Sequence, residues 1–123
     1  MEYITIKELV GKTMASVEQI GDTELVFRTT DGTKYTFYHR QDCCESVTIE
    51  SVVGDLSDLV GTPIVVAEER TSKENPEGVT LDYQYSFTWT FYCFRTIKGS
   101  VDVRWYGESN GYYSESIDLR KEG

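Results

Sequence analysis

One histidine and two adjacent cysteines, in the run His39-Arg40-Gln41-Asp42-Cys43-Cys44-Glu45, carry most of the reactive chemistry this chain offers. Imidazole and thiolate both suit zinc, and the spacing of His39 and Cys43 lets them reach one ion across a tight loop. Cys44 and the distant Cys93 are further candidate ligands if the strand that carries Cys93 lies alongside. Paired C-x2-C spacing is absent, however, and neighbouring side chains diverge on extended backbone. The plainer reading packs one cysteine as a small hydrophobe and leaves the other incidental. A Cys–His nucleophile and base is a second option, but adjacency in sequence gives no evidence of that geometry. A bond between Cys43 and Cys44 is sterically strained and ranks below both.

Carboxylates dominate the next stretch of chain. From Gln41 to Glu69 there is no Lys or Arg, but there are seven acids: Asp42, Glu45, Glu50, Asp55, Asp58, Glu68 and Glu69. Two of them facing each other could cleave a glycosidic bond, yet sequence alone shows no such pair. The first five are read instead as candidate contacts of an acidic surface aimed at a basic partner. The formal net charge of −9 supplies no basic field for nucleic-acid phosphates or anionic membranes. It equally suits simple solubility.

Aromatic residues are the other excess. Tyr and Trp give large contact area at low entropic cost and favour interfaces and stacking sites. Trp89 and Trp105 fall in phase with core positions. Tyr106, Tyr112 and Tyr113 flank the turn Gly107–Gly111 and are candidate contacts, with Glu108 and Asn110 between them. That turn lacks the spacing and the following Lys of a phosphate loop. A small anionic ligand would need local positive charge, for which Arg95, Lys98 and Arg104 are the candidates.

The elements positioning these residues are strands. Gly21-Asp22 and Asp31-Gly32 punctuate three short alternating runs, 13–20, 24–29 and 33–40, as a hairpin meander does. A short helical turn precedes them around Ile6–Val10. Strands are expected at 46–52, with Val47, Ile49 and Ser51 inward, and at 64–69. Between them Asp55 caps a helical turn, 55–60, that Gly61 closes. Segment 71–78 is a polar loop. Leu81, Tyr83, Tyr85, Phe87, Trp89, Phe91 and Cys93 hold one phase of a long strand, and 101–106 and 113–119 complete a second meander. The expected fold is mainly β (α+β), with about eight mostly antiparallel strands forming a curled sheet, sandwich or open barrel, and one or two short helices.

At 123 residues the chain fits one domain, 1–123, able to bury enough surface to fold without metal or disulfide. The N-terminus is neither basic nor long enough in its apolar part for a signal peptide, and no run approaches a membrane span. An odd cysteine count speaks against a secreted disulfide scaffold, so a reducing cytoplasm is expected.

The string from Tyr38 to Ile64 with its H-x2-D-C-C-E element, and the W-Y-G-E-S-N-G-Y-Y-S-E element at 105–115, resemble a family of small bacteriophage and prophage proteins of unknown function. The resemblance covers about residues 23–119. It carries no catalytic residue and implies a phage context, in which small acidic proteins often act by binding. The expectation is therefore a non-enzymatic phage accessory protein that modulates a host or host-defence protein, without cofactor, nucleic acid or membrane. Edge strands and exposed Tyr allow a homodimer. The alternatives are a small-molecule (nucleotide-type) binder and a metal protein using His39, Cys43, Cys44 and Cys93.

Overall fold

In the computed structural model, which describes residues 2–81 and 84–123, two antiparallel sheets pack face to face. The first has the order β1-β9-β4-β3-β2: β1 is Glu2–Tyr3, β2 Met14–Ile20, β3 Glu24–Thr29, β4 Lys34–Tyr38 and β9 Asp118–Glu122. The second has the order β5-β8-β7-β6, with β5 Ser46–Val53, β6 Val66–Ser72, β7 Ser86–Thr96 and β8 Gly99–Ser109. Counting β1, of two residues, as an extension of the first sheet leaves the eight strands expected. The helical turns at Ile6–Leu9 and Leu56–Leu59 are single 3-10 turns. No helix among the described residues is long and apolar enough to cross a membrane.

The meander β2-β3-β4 forms as its glycines require. Gly21 and Gly32 take positive φ, +58° and +95°, in the two tight turns, a conformation that a Cβ would disfavour. Asp55 accepts a hydrogen bond from the Ser57 amide at 2.9 Å and caps the second helical turn, and Gly61 ends it at φ +90°. β2 then crosses the opposite sheet. Thr13 bridges Pro63, just before β6, and beyond the other end of β2 the Asp22 carbonyl accepts the Ile49 amide of β5 at 2.6 Å.

The core is aromatic and lies between the sheets. Phe27 and Phe37 of the first sheet meet Phe94 at 4.9 and 5.6 Å between centroids, and Phe37 meets Tyr92 at 4.9 Å. Val101, Val103 and Trp105 of β8 face this core, as the alternation predicts. The Tyr35 hydroxyl, at the end of the core, donates to Glu8 at 2.9 Å. Tilted and edge-on ring pairs of this kind add to the burial of their area.

Three expectations are corrected. On β7 the residues that enter the core are Tyr92 and Phe94, with Thr88, Thr90 and Thr96, while Phe87, Trp89, Phe91 and Cys93 lie on the outer face. Trp89 is nonetheless only 1% exposed, because Tyr106 and Arg104 pack on it and Asn75 of the loop after β6 accepts its indole N–H. The expected strand residues Asp82 and Tyr83 lie outside the described residues. On β5 a bulge at Glu50 shifts the register, so Val52 and not Ser51 turns inward. Finally, β9 does not extend the second meander. It begins at Asp118, five residues after the expected start, and pairs with β4 and β1 in the first sheet.

Candidate binding surface

The reactive-looking cluster at 39–45 proves to be a fastening. Glu45 is buried, and its carboxylate accepts from His39 Nε2 (2.9 Å), Gln41 Nε2 (3.1 Å) and the amides of Asp42 (3.0 Å) and Cys43 (2.8 Å). Burial opposes its ionisation, but the His39 contact and the two amides outweigh that and hold its pKa at about 2. Glu45 is therefore removed from the acidic surface to which its sequence assigned it. His39 also contacts the Ser116 carbonyl through Nδ1 at 2.7 Å, so both its ring nitrogens are engaged. Cys43 and Cys44 are bonded to each other, the arrangement ranked last from sequence. Cys93 faces outward beside Asp102, six residues along β8 from Glu108, or about 20 Å from the Cys44 end of the sheet. The four candidate metal ligands are thus not gathered. Among the described residues no group of three or more His, Cys, Asp and Glu side chains could hold a metal ion.

The second motif is built in the same manner. Gly107 lies so close to the segment before β9 that a Cβ there would stand 2.7 Å from the Glu115 carbonyl oxygen and 3.2 Å from Val47. The Glu115 carboxylate is buried against β7 and the end of β8, where it accepts from Thr88 Oγ1 at 2.8 Å, Ser109 Oγ at 2.5 Å and Ser86, with Lys73 Nζ at 3.5 Å. Burial raises its pKa, but these hydroxyls outweigh that and leave it below the usual carboxylate value. His39 and Ser116 join the two motifs, which together close one end of the sandwich.

What remains exposed around this end is a contact surface. A pocket of about 220 Å³ is lined by Cys44, Ser46, Tyr85, Glu108, Ser109, Asn110 and Tyr113. Asn110 Oδ1 accepts the Tyr112 amide at 2.9 Å and sets the turn, and Tyr112, 82% exposed, stands edge-on to Tyr113 at 5.1 Å. Tyr85, on the opposite wall, is 77% exposed. Tyr106 is not an exposed contact. It packs on Trp89 at 4.5 Å, accepts from Gln84 at 2.6 Å and donates to Glu108 at 2.6 Å, and burial with the Glu108 contact pushes its hydroxyl up to about 12.

The sequence acids divide. Glu50 belongs to β5, an edge strand, while Asp42 precedes it and Asp55 follows it, and the Asp22 carbonyl meets the strand at Ile49. Glu50 is met by Arg104 Nε at 2.5 Å. Asp58 turns away and sits over Gly99, whose missing Cβ makes room for it.

Sequence reasoning missed a third feature. The outer face of the second sheet holds a groove of about 500 Å³, lined among others by Glu68, Arg70, Phe91, Cys93, Asp102 and Arg104. The signal was legible as an acid-x-Arg pattern on both β6 (Glu68-x-Arg70) and β8 (Asp102-x-Arg104). Burial pushes the Cys93 thiol up, and a hydrogen bond to Asp102 adds to this, so the thiol stays protonated.

Two face-packed antiparallel sheets define a small β-sandwich that carries an aromatic pocket and a charged groove. The chain belongs to the family described as Domain of unknown function (DUF7448), whose model matches residues 7–119. No curated protein and no solved structure matches it.

Proposed function

We propose that this chain is a non-enzymatic accessory protein of phage type that binds a basic surface of a host or host-defence protein in the host-cell cytoplasm. The observation that carries this reading is the contiguity of the pocket lined by Tyr85 and Tyr113, with Tyr112 edge-on to Tyr113 beside it, with the β5 edge, which starts at Ser46 in the pocket wall. Tyrosines around a pocket with a charged rim are the composition of a protein-contact patch. Acids spaced along an open edge would steer a cationic partner, which makes the association rate fall as salt rises. The same acids also discourage edge-to-edge pairing of this chain with itself. The engagement of the reactive groups supports a binding role. The free thiol in the groove is held protonated, and His39 has both nitrogens occupied.

The test is capture of host proteins on the tagged domain during infection, read by mass spectrometry. It compares the wild type with Tyr112→Ala/Tyr113→Ala and with Asp42→Asn/Asp55→Asn. A specific host protein should be retained by the wild type, weakened by both variants, and released by salt. Capture indifferent to both variants and to salt would sink the reading, as would the absence of any specific partner.

A further inference from the structure

The groove on the second sheet meets the β5 edge at Ser51 and Val53 but carries its own charge pattern. Across the sheet the register places Glu68, Cys93 and Asp102 side by side on β6, β7 and β8. The next outward-facing row is Arg70, Phe91 and Arg104. β6 and β8 both run antiparallel to β7, so their acid-x-Arg patterns point the same way. The result is a row of two carboxylates beside a row of two guanidiniums, about 7 Å apart along the strands. Between them the floor is a thiol and an aromatic ring.

These charges do not satisfy one another. Arg104 is committed to Glu50, but Glu68, Asp102 and Arg70 make no ion pair with any described residue. Arg70 lies over Phe91, with its guanidinium carbon 4.5 Å from the ring centroid, which holds its fork at the groove wall. A flat guanidinium held in this way recognises a carboxylate through two parallel hydrogen bonds. Two carboxylates flanking a neutral thiol suit an ammonium group. A lone cation would meet Arg70 unfavourably, and a lone anion would meet Glu68 and Asp102. The complementary ligand is dipolar.

We propose that this groove binds a small zwitterion of the amino-acid or short-peptide class. The ammonium sits between Glu68 and Asp102, the carboxylate on Arg70, and the apolar part over Phe91 and Cys93. A volume of about 500 Å³ accommodates more than a single residue, so a dipeptide is the natural probe. This inference is independent of the host-protein reading and uses other residues.

The experiment is titration of the full chain with alanyl-leucine, followed by amide chemical shifts and calorimetry. Its N-acetyl and C-terminal amide forms serve as controls. Shifts confined to β6, β7 and β8 are expected, with each end-block weakening binding at least about tenfold. Arg70→Gln should weaken the dipeptide to the level of its amide while leaving the amide's own binding unchanged. Glu68→Gln/Asp102→Asn should do the same with respect to the acetyl form. No shifts up to about 10 mM dipeptide, an affinity limit near 3 kcal/mol, would overturn the proposal. So would blocked forms that bind as well as the parent. Host-protein capture is read separately, so the failure of one reading leaves the other intact.

Discussion

Replacing Glu115 tests whether the second motif is a fastening. The carboxylate is 4% exposed and faces the hydroxyls of Thr88, Ser109 and Ser86, with the Lys73 ammonium at 3.5 Å. Hydrogen bonds to a charged group are worth about 1.5–3 kcal/mol each, but they share one acceptor and do not add in full. Lys73 is 71% exposed, so solvent screens most of its attraction. Glu115→Ala should therefore lose about 3–4 kcal/mol, a large part of the ~5–15 kcal/mol such a domain possesses. Glu115→Gln keeps the shape and one acceptor oxygen and should lose about 1–2 kcal/mol. In thermal terms the alanine variant should melt roughly 10–15 °C lower.

Urea denaturation followed by circular dichroism measures both variants, and the pH dependence gives an independent check. The folded pKa of Glu115 lies below the ordinary 4.5. Its stabilisation is therefore whole above the unfolded value and is lost as pH falls through the folded one. The gap between wild type and Glu115→Gln should be widest at neutral pH and narrow on acidification below about 4.5. An alanine variant within about 0.5 kcal/mol of wild type would refute the reasoning, because a buried acceptor of three hydroxyls cannot be neutral to remove. A gap unchanged from neutral to acid pH would refute the electrostatic part.

The geometry implies three other outcomes. Glu45, held at about 2 by His39 and two amides, should make the wild type lose stability as pH falls from 4.5 toward that value, and Glu45→Gln should remove that share of the acid sensitivity in urea titrations. Cys93 should alkylate with iodoacetamide more slowly at neutral pH than an unperturbed thiol, and Asp102→Asn should speed it by removing the carboxylate that favours the protonated form, as peptide mass mapping would show. Asn75→Ala should cost about 1–2 kcal/mol and shift Trp emission to the red, since Asn75 Oδ1 accepts from both Trp89 Nε1 and Gln84 Nε2, each at 3.1 Å.

The strand pattern was legible wherever one face of a strand meets solvent. β8 alternates, and Val101, Val103 and Trp105 point inward as read. β7 defeated the same rule because the face turned from the core is the more apolar one and is only partly covered. Its outer residues Phe87, Trp89 and Phe91 pack with Tyr106, Arg70 and Arg104, while its core row is largely Thr88, Thr90 and Thr96. Threonine fits there because the opposing residues include Gly107 and Trp105. Hydrophobicity then marks the wrong face, since the more apolar row is the one turned away from the other sheet. The placement of β9 was hidden for a different reason. Its pairing with β4 and β1 depends on contacts remote in sequence, which alternation within the strand does not encode.

For the site, residue type misled where burial reversed its meaning. Glu45 read as a surface acid, yet it and Glu115 each accept several hydrogen bonds inside the end of the sandwich, and His39 joins their loops. Ionised carboxylates are well placed for that work, because one group can satisfy several donors that loop backbone and short polar side chains would otherwise leave unmet. Once these residues are committed to structure, recognition falls to groups whose partners are few. Those are the tyrosines of the pocket, the acids of the β5 edge, and Glu68, Asp102 and Arg70 of the groove, which form no ion pair among the described residues. The groove charges were visible as two short acid-x-Arg repeats, but only the register across β7 aligns them and turns scattered charges into a dipolar site.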